Sequence, residues 1–214
     1  MQPELLDGAS AEEAAGNLRD LDRINRWFGG NAILARKLAP LLARKPDALI
    51  LDVGAAGGDT IRYLARRFPR ARFIALDRSE MLLRQAGGRR VLADACAWPI
   101  ARGSVDIVIC TLFLHHLGEA EVVRAVEDFR SAARMAVVAV DLQRHVLARQ
   151  FLPATRWLFR WDPITLHDGP ISVDAAFTKA ELRQLVPEAR VESHAPWFRL
   201  SLVIESGGKK SVDR

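Results

Sequence analysis

Residues 49–60, Leu49-Ile50-Leu51-Asp52-Val53-Gly54-Ala55-Ala56-Gly57-Gly58-Asp59-Thr60, constrain the chain more than any other stretch. An apolar run broken only by Asp52 ends on small residues. Ile61 to Phe68 then carries apolar residues at helical spacing. The pattern predicts a buried strand, a tight turn and the start of a helix. Glycine permits turns that bring backbone against a ligand, and a helix N-terminus offers unpaired N–H groups. The stretch reads as the floor of a nucleotide-like cofactor site.

Strand and helix patterns alternate after it. A strand over about Arg72 to Leu76 closes on Asp77, and Ser79 or Asp77 can cap a helix over Glu80 to Arg84. A short strand from Arg90 to Ala93 ends on Asp94. Strands follow at Val105 to Leu112 and Met135 to Val140, the latter ending on Asp141, with a helix from Glu119 to Ala132 between them. Such alternation predicts an α/β, Rossmann-like fold: a mostly parallel sheet covered by helices on both faces.

Two helices are expected before the first strand. Ser10 and Glu13 suit a capping box, Leu18 to Phe28 follow a 3.6 period that Gly29-Gly30 stops, and a second helix from Asn31 ends before Pro46. The alternation breaks at about 143–178, which hold Phe151, Trp157, Phe159, Trp161, three prolines and His167-Asp168-Gly169-Pro170. This segment is expected to lie over the C-terminal edge of the sheet as a lid. Thr178 and Glu181 form a second capping box, and Val191 to Ser193 and Phe198 to Ile204 read as a hairpin-like pair of strands at the sheet edge. The expected organisation is an N-terminal helical cover (1–46), a core (47–206) with the lid insertion, and a flexible tail (207–214).

The bulk composition excludes several classes. Half of the 214 residues are hydrophobic and 27% are charged, as in a globular chain with a sizeable core. The net charge of +5 comes from arginines spread along the chain, so a solvated face fits better than a nucleic-acid stripe. Cys96 and Cys110 make no spaced framework, and the N-terminus is unlike a signal peptide, which together predict a reducing, cytoplasmic setting. No apolar run reaches the ~18 residues of a membrane span. No His, Cys and carboxylate cluster has metal-ligand spacing.

Acidic residues end three successive strands: Asp52, Asp77 and Asp94. In open α/β sheets, ligands sit at the carboxyl ends of strands, at the topological switch. A carboxylate after the second strand can accept both ribose hydroxyl protons, and one after the third can accept from an adenine amine. A single strand-end aspartate often only caps a helix. Three in order after a glycine turn are more specific.

These segments resemble class I S-adenosylmethionine-dependent methyltransferases. Leu51 to Gly58 is similar to that family's first motif, Ala75-Leu76-Asp77-Arg78-Ser79 to its ribose-binding motif, and Ala93-Asp94-Ala95-Cys96-Ala97-Trp98-Pro99 to its adenine segment. Ser104 to Cys110 with Leu114-His115-His116-Leu117 resembles the ubiquinone and menaquinone methyltransferase type. The resemblance covers about residues 47–142 and implies a seven-stranded sheet with an antiparallel last strand. One position departs: Ala56 stands where the family has its middle glycine. Gly-x-Gly-x-x-Gly and the P-loop ending are both absent, against the dinucleotide and P-loop readings.

The resemblance implies S-adenosyl-L-methionine as cofactor and gives each position a role. Gly54, Ala55 and Gly58 would bring backbone close to the methionine part. Asp52 would steady the turn, directly or through water to the ammonium. Asp77 would hold the ribose, Arg78 or Met81 would flank the adenine, and Asp94 and the Ala95 N–H would meet its edge. Cys110 or Thr111 would face the ammonium and methyl group. Arg23 or Arg26 would reach the cofactor carboxylate, or be plain surface charge.

The donor is already reactive, so alignment of the partners is the main task. A phenol or acid acceptor must also lose its proton, for which His115, His116, His167 and Asp168 are the candidates. The His pair also reads as a family stretch without a basic role, and His167-Asp168 as turn chemistry. No Asn/Asp-Pro-Pro-aromatic motif follows the fourth strand, against nucleic-acid base methylation, and no Asp-Asn pair follows Asp141, against a metal-dependent catechol enzyme. A small-molecule acceptor remains. Trp157, Phe159, Trp161, Trp197 and Phe198 either line an apolar pocket for an aromatic or lipophilic acceptor or glue the lid to the sheet. Arg149, Arg156 and Arg160 interleave with aromatics, so the lid is also the one candidate for membrane contact. Asp22 to Gly30 and His167 to Pro170 loosely resemble small bacterial methyltransferases of type III polyketide pathways, implying a phenolic acceptor and secondary metabolism. O-methylation is expected, with quinone-type C-methylation or a non-catalytic relative of the fold as alternatives, in a monomer or homodimer.

Overall fold

The computed structural model of the chain describes residue 5 and residues 11–206, with side chains in the latter span from residue 15 onward. The expected Ser10–Glu13 capping box and the 207–214 tail lie outside the described residues. Seven strands form one sheet: β1 (Leu49–Val53), β2 (Arg72–Asp77), β3 (Arg89–Leu92), β4 (Val105–Thr111), β5 (Ala133–Leu142), β6 (Arg190–His194) and β7 (Arg199–Glu205). Their order is β3-β2-β1-β4-β5-β7-β6. Only β7 runs antiparallel, pairing with β5 and β6. The edge hairpin and the mixed sheet are as expected from the sequence.

Among the described residues, eight α-helices surround the sheet: α1 (Ala11–Trp27), α2 (Gly30–Arg44), α3 (Asp59–Arg67), α4 (Glu80–Leu83), α5 (Glu119–Ala132), α6 (Val146–Phe159), α7 (Pro163–Ala175) and α8 (Lys179–Leu185). Successive side chains of a strand point to opposite faces. Leu51, Val53, Val108, Val137, Leu200 and Leu202 therefore join Phe129 of α5 and Leu182 of α8 in one core. Ile50, Ile107, Ile109, Val138 and Val140 join Leu34, Leu38 and Leu41 of α2 in the other. Central strands buried on both faces explain their near-continuous apolar runs. β1 pairs with β2 on one side and β4 on the other, so the strand order reverses beside it. That reversal opens a crevice at the carboxyl ends of the strands.

The insertion after β5 is helical. The expected turn at His167-Asp168-Gly169-Pro170 is corrected: all four residues lie inside α7. Pro163 at the start of the helix and Asp162, whose Oδ1 accepts from the Ile164 N–H, launch it. Gly169 serves packing rather than turning. A Cβ there would lie 2.1 Å from Leu152 Cδ1, so its absence lets α7 approach α6. α1 is tied to the same region: Asn17 Nδ2 donates to Thr165 Oγ1 at 3.1 Å, and Asp20 Oδ2 accepts from the Asp162 N–H at 2.6 Å. Among the described residues, no helix is long and apolar enough to cross a membrane.

Candidate functional site

A cavity of about 1180 Å³ lies between the carboxyl ends of the strands and helices α1, α6 and α7. Gly54, Asp77, Asp94, Thr111 and Leu142 follow or end β1 to β5 and line it from below. Phe28, Phe151, Leu152 and Ile171 line it from the helical side, with Trp197 and Phe198 at the mouth of the β6–β7 hairpin. Its volume exceeds a typical single-ligand pocket, so two reactants fit together.

The glycine turn is held from two sides. The Ala55 N–H donates to Leu76 O at 3.0 Å, and the Ala56 N–H donates to Asp77 Oδ2 at 2.8 Å. Asp77 Oδ1 accepts from the Ser79 N–H at 2.8 Å, and Ser79 rather than Asp77 caps α4. Gly54 has φ +68°, and a Cβ there would lie 2.8 Å from the Phe113 ring. Gly58 does not line the cavity; it lets the turn rest on Ala86, where a Cβ would meet another at 2.9 Å. Ala56 adopts φ +44°, the left-handed region that L-residues visit at a cost. Ala56→Gly should relieve about 1–2 kcal/mol of strain against about 0.5–1 kcal/mol of extra unfolded-state entropy. A rise in melting temperature of about 1–3 °C by calorimetry is the expected result; a fall would mean that the alanine methyl stabilises the turn.

Beneath the turn lies an unusual group of carboxylates. Asp52 is fully buried on β1, and neither of its oxygens has a hydrogen-bond partner. Burial foremost, then the charges of Asp59 and Asp77, push its carboxyl well above the usual carboxylate range. Asp59, the first residue of α3, is also raised, by burial and by Asp22 of α1, although Asn25 bonds to it. Its Oδ2 is unpaired. Asp22, Asn25 and Asp59 line the cavity, whereas Asp52 lies just under it. Burying unpaired carboxylates is costly unless a cation offsets it.

The other expected positions fall as follows. Ala55, Arg78, Met81 and Ala95 line the cavity with Asp77 and Asp94. Asp94 Oδ1 accepts from the Cys96 N–H. Cys110 is corrected: its thiol is buried in the core on the α5 side, pushed up by burial and by Asp141 and Asp52, and does not reach the cavity. The alternative, Thr111, points to the other face, lines the cavity and shares a hydrogen bond with Thr60. Arg23 does not line it either. It packs over Trp27, Phe159 and Trp161 and pairs with Asp20. Arg26 is exposed and outside the lining.

His115 and His116 both line the cavity, from the 3-10 turn Leu114–His116 after β4. Their rings lie 4.1 Å apart. His115 is buried, with Nδ1 2.6 Å from Asp141 Oδ1. Asp141 also accepts from the N–H groups of Phe113, His115 and Leu142. Burial raises its carboxyl, but the charge and hydrogen bond of His115 outweigh that and hold it below the usual range. Of the second pair, Asp168 lines the cavity, accepts from the Leu5 N–H and lies 2.8 Å from His167 Nδ1. His167 itself points away, half exposed on α7.

Of the five aromatic residues expected to form either a pocket or a seam, the structure divides the roles. Trp197 and Phe198 line the cavity. Phe159 and Trp161 stand behind it, in a cluster centred on Phe28 that joins α1 to α6. Trp157 is corrected: it is 82% exposed on the outer face of α6, beneath the Arg156 guanidinium. Sequence reasoning missed Asp141 as the partner of His115, and Asp59 and Arg199 as cavity residues. Position at a strand end was the only signal for Asp141, and nothing in the local sequence marked the other two.

Comparison with known proteins fits this geometry. Residues 50–136 match the methyltransferase domain family. The chain is 31% identical over 167 residues to the trans-aconitate 2-methyltransferase of Streptomyces avermitilis, covering 68% of this chain and 62% of that protein. It is 30% identical over 131 residues to the malonyl-[acyl-carrier protein] O-methyltransferase of Xylella fastidiosa, covering 54% and 44%. The chain thus spans less than two thirds of the length of these relatives. Among solved structures, the plantazolicin methyltransferase BpumL, crystallised with a pentazolic desmethylPZN analog and SAH, has the same fold at a TM-score of 0.66 and 12% identity, over 91% of this chain and 90% of that one. The magnesium protoporphyrin IX methyltransferase of Synechocystis, with bound SAH, shares it at 0.58 and 17% identity, over 84% of each chain. The strand order, the glycine turn with its strand-end aspartates, and the methyltransferase domain match over residues 50–136 make this chain similar to the class I S-adenosylmethionine-dependent methyltransferases.

Proposed function

We propose that this protein transfers a methyl group from S-adenosylmethionine to an oxygen atom of a small acceptor with an apolar, aromatic or lipophilic body. The observation that carries the reading is the set of buried, unpaired carboxylate oxygens on Asp52, in the strand before the glycine turn, and Asp59, at the start of the helix after it. That arrangement suits a cationic amino acid moiety and would be a burden without one. Asp77 and Asp94, on the same cavity wall, suit a ribose and an adenine amine. When bound, the donor supplies a methyl group on a sulfonium, already activated for attack.

The chain's own residues do the rest. The Gly54-to-Gly57 backbone and Thr111 border the floor, and Asp77 accepts from the ribose hydroxyls. The aromatic wall of Phe28, Phe151, Trp197 and Phe198 excludes water and orients the acceptor body. His115 takes the hydroxyl proton, with Asp141 fixing the ring through Nδ1. His116, Asp168 and Met81 line the space around the reactants. The relatives named for trans-aconitate and for O-methylation of malonyl-acyl carrier protein support an oxygen acceptor. Ala56, the one departure in the glycine motif, keeps its N–H on Asp77, so the turn is formed and the non-catalytic reading gains nothing from it.

Calorimetric titration with S-adenosylmethionine, SAH and NAD tests the donor. Binding of the first two and not the third is expected; binding of NAD alone, or of none, would sink the proposal. Mass spectrometry of products from a phenol and quinol panel then separates O-methyl from C-methyl transfer.

A further inference from the structure

Arg199 opens β7, is 2% exposed and lines the cavity. Its Nε and Nη1 have no hydrogen-bond partner. Burial pushes the guanidinium down to about 10, and Asp141 only partly offsets this. Asp141 cannot satisfy it through hydrogen bonds. Each of its oxygens already accepts two: Oδ1 from His115 Nδ1 and the Leu142 N–H, Oδ2 from the Phe113 and His115 N–H groups. A buried guanidinium with open donors is costly, and its planar fork matches a carboxylate.

The sheet tells where that carboxylate belongs. β7 lies three strands from β1 in the order β1-β4-β5-β7, roughly 14 Å at the usual strand spacing. The glycine turn, Asp77 and Asp94 all lie on the β1 side. Arg199 pairs in register with Leu142, and Leu200 with Asp141. Arg199 and the His115-binding carboxylate therefore sit at adjacent levels but point to opposite faces. A ligand reaching both must carry two polar groups, and the aromatic residues lining the cavity suit an apolar body between them.

Resting on the reading of the site as a methyl-transfer centre, we propose that Arg199 selects the acceptor by its carboxylate, so that the acceptor is a hydroxy acid whose hydroxyl meets His115 while its anion meets Arg199. The guanidinium anchors one end and the aromatic wall holds the body between. Arg199 is a specificity residue; it takes no part in proton or methyl movement.

The test uses SAH-saturated protein titrated with 4-hydroxycinnamate, 3-hydroxybenzoate and 12-hydroxydodecanoate, each against its primary amide. At least one acid is expected to bind about 100-fold more tightly than its amide in wild-type protein. In Arg199→Gln that preference should collapse to near unity through loss of acid binding. Arg199→Met should melt no lower than wild type, because an unpaired buried charge is removed. A large fall in melting temperature would instead mark a structural guanidinium and overturn the assignment. If wild-type protein prefers no acid over its amide, the proposal fails while SAH binding still upholds the donor site. If Arg199→Gln weakens SAH rather than the acid, the guanidinium serves the donor's own carboxylate and the proposal fails. Turnover of the bound acid should give an alkali-stable ether; an alkali-labile methyl ester would put the anion at the reacting end and overturn the anchoring role.

Discussion

Asp77→Ala should abolish measurable donor binding at micromolar protein. The carboxylate is buried at the carboxyl end of β2, and its two oxygens already brace the turn through the Ala56 and Ser79 N–H groups. It retains lone pairs for two ribose hydroxyls. Charge-assisted hydrogen bonds of this kind are each worth about 1.5–3 kcal/mol, so losing two raises the dissociation constant about 10²–10⁴-fold. Removing the carboxylate also leaves two N–H groups without their acceptor, which loosens the turn. Asp77→Asn separates these effects, because its amide oxygen keeps one bond to the turn while the charge is gone. It should bind SAH about 10–100-fold more weakly than wild type, with little change in melting temperature. SAH titrating into Asp77→Ala with wild-type affinity would remove the ribose role altogether.

The second large effect is expected at His115. His115→Gln should lower kcat/KM about 10²–10⁴-fold, the usual contribution of a positioned base, while SAH affinity stays near the wild-type value. The Asp141 carboxylate behind it should matter almost as much. Asp141→Asn removes the charge that orients the imidazole and supplies one oxygen where four hydrogen bonds are now accepted. Its kcat should fall with His115→Gln, and the double variant should be little worse than either single, because the two act as a unit. Breaking a buried pair is also expensive, about 3–5 kcal/mol, so unfolding must be measured alongside the rates.

The pH dependence of stability has a defined sign. Burial raises the Asp141 carboxyl, and His115 with the Leu142 N–H lowers it further than that, leaving it below its unfolded value. Such a group stabilises the fold above its unfolded pKa, about 4, and loses that contribution as pH falls through the lower folded value. Wild-type protein should therefore show an acid-induced loss of stability in that range, and Asp141→Asn a shallower one. Asp52 has the opposite sign: its folded value is raised, so its contribution fades as pH climbs from the ordinary carboxylate range through that raised value. Equal acid slopes in wild type and Asp141→Asn would separate the pair from stability.

Interactions encoded within a few residues were legible in the sequence, and those made across the fold were not. Local pattern determined the sheet: apolar runs ending in Asp52, Asp77, Asp94 and Asp141 marked four strands and their carboxyl ends, and the glycine turn marked the floor. These features depend on neighbours within a few residues. The α7 helix shows the limit of that reasoning. His167-Asp168-Gly169-Pro170 carries turn residues, yet contact with Leu152 and a capped start at Asp162 make it helical. Side-chain parity also escaped local reading, which could not choose between Cys110 and Thr111. The pairing of β4 with β1 and β5 buries one and exposes the other to the cavity.

The apolar runs, the glycine turn and the strand-end aspartates thus marked the mostly parallel sheet, its edge hairpin and the crevice floor, because hydrophobic periodicity and turn chemistry are local, while the antiparallel last strand was implied by the resemblance. Only the tertiary structure decided which residues of β5 and β7 meet at the cavity. Asp141 meets His115 across 26 residues, and Arg199 enters the cavity from a strand 57 residues beyond Leu142. Those juxtapositions arise from strand order and register, which no short stretch of sequence contains.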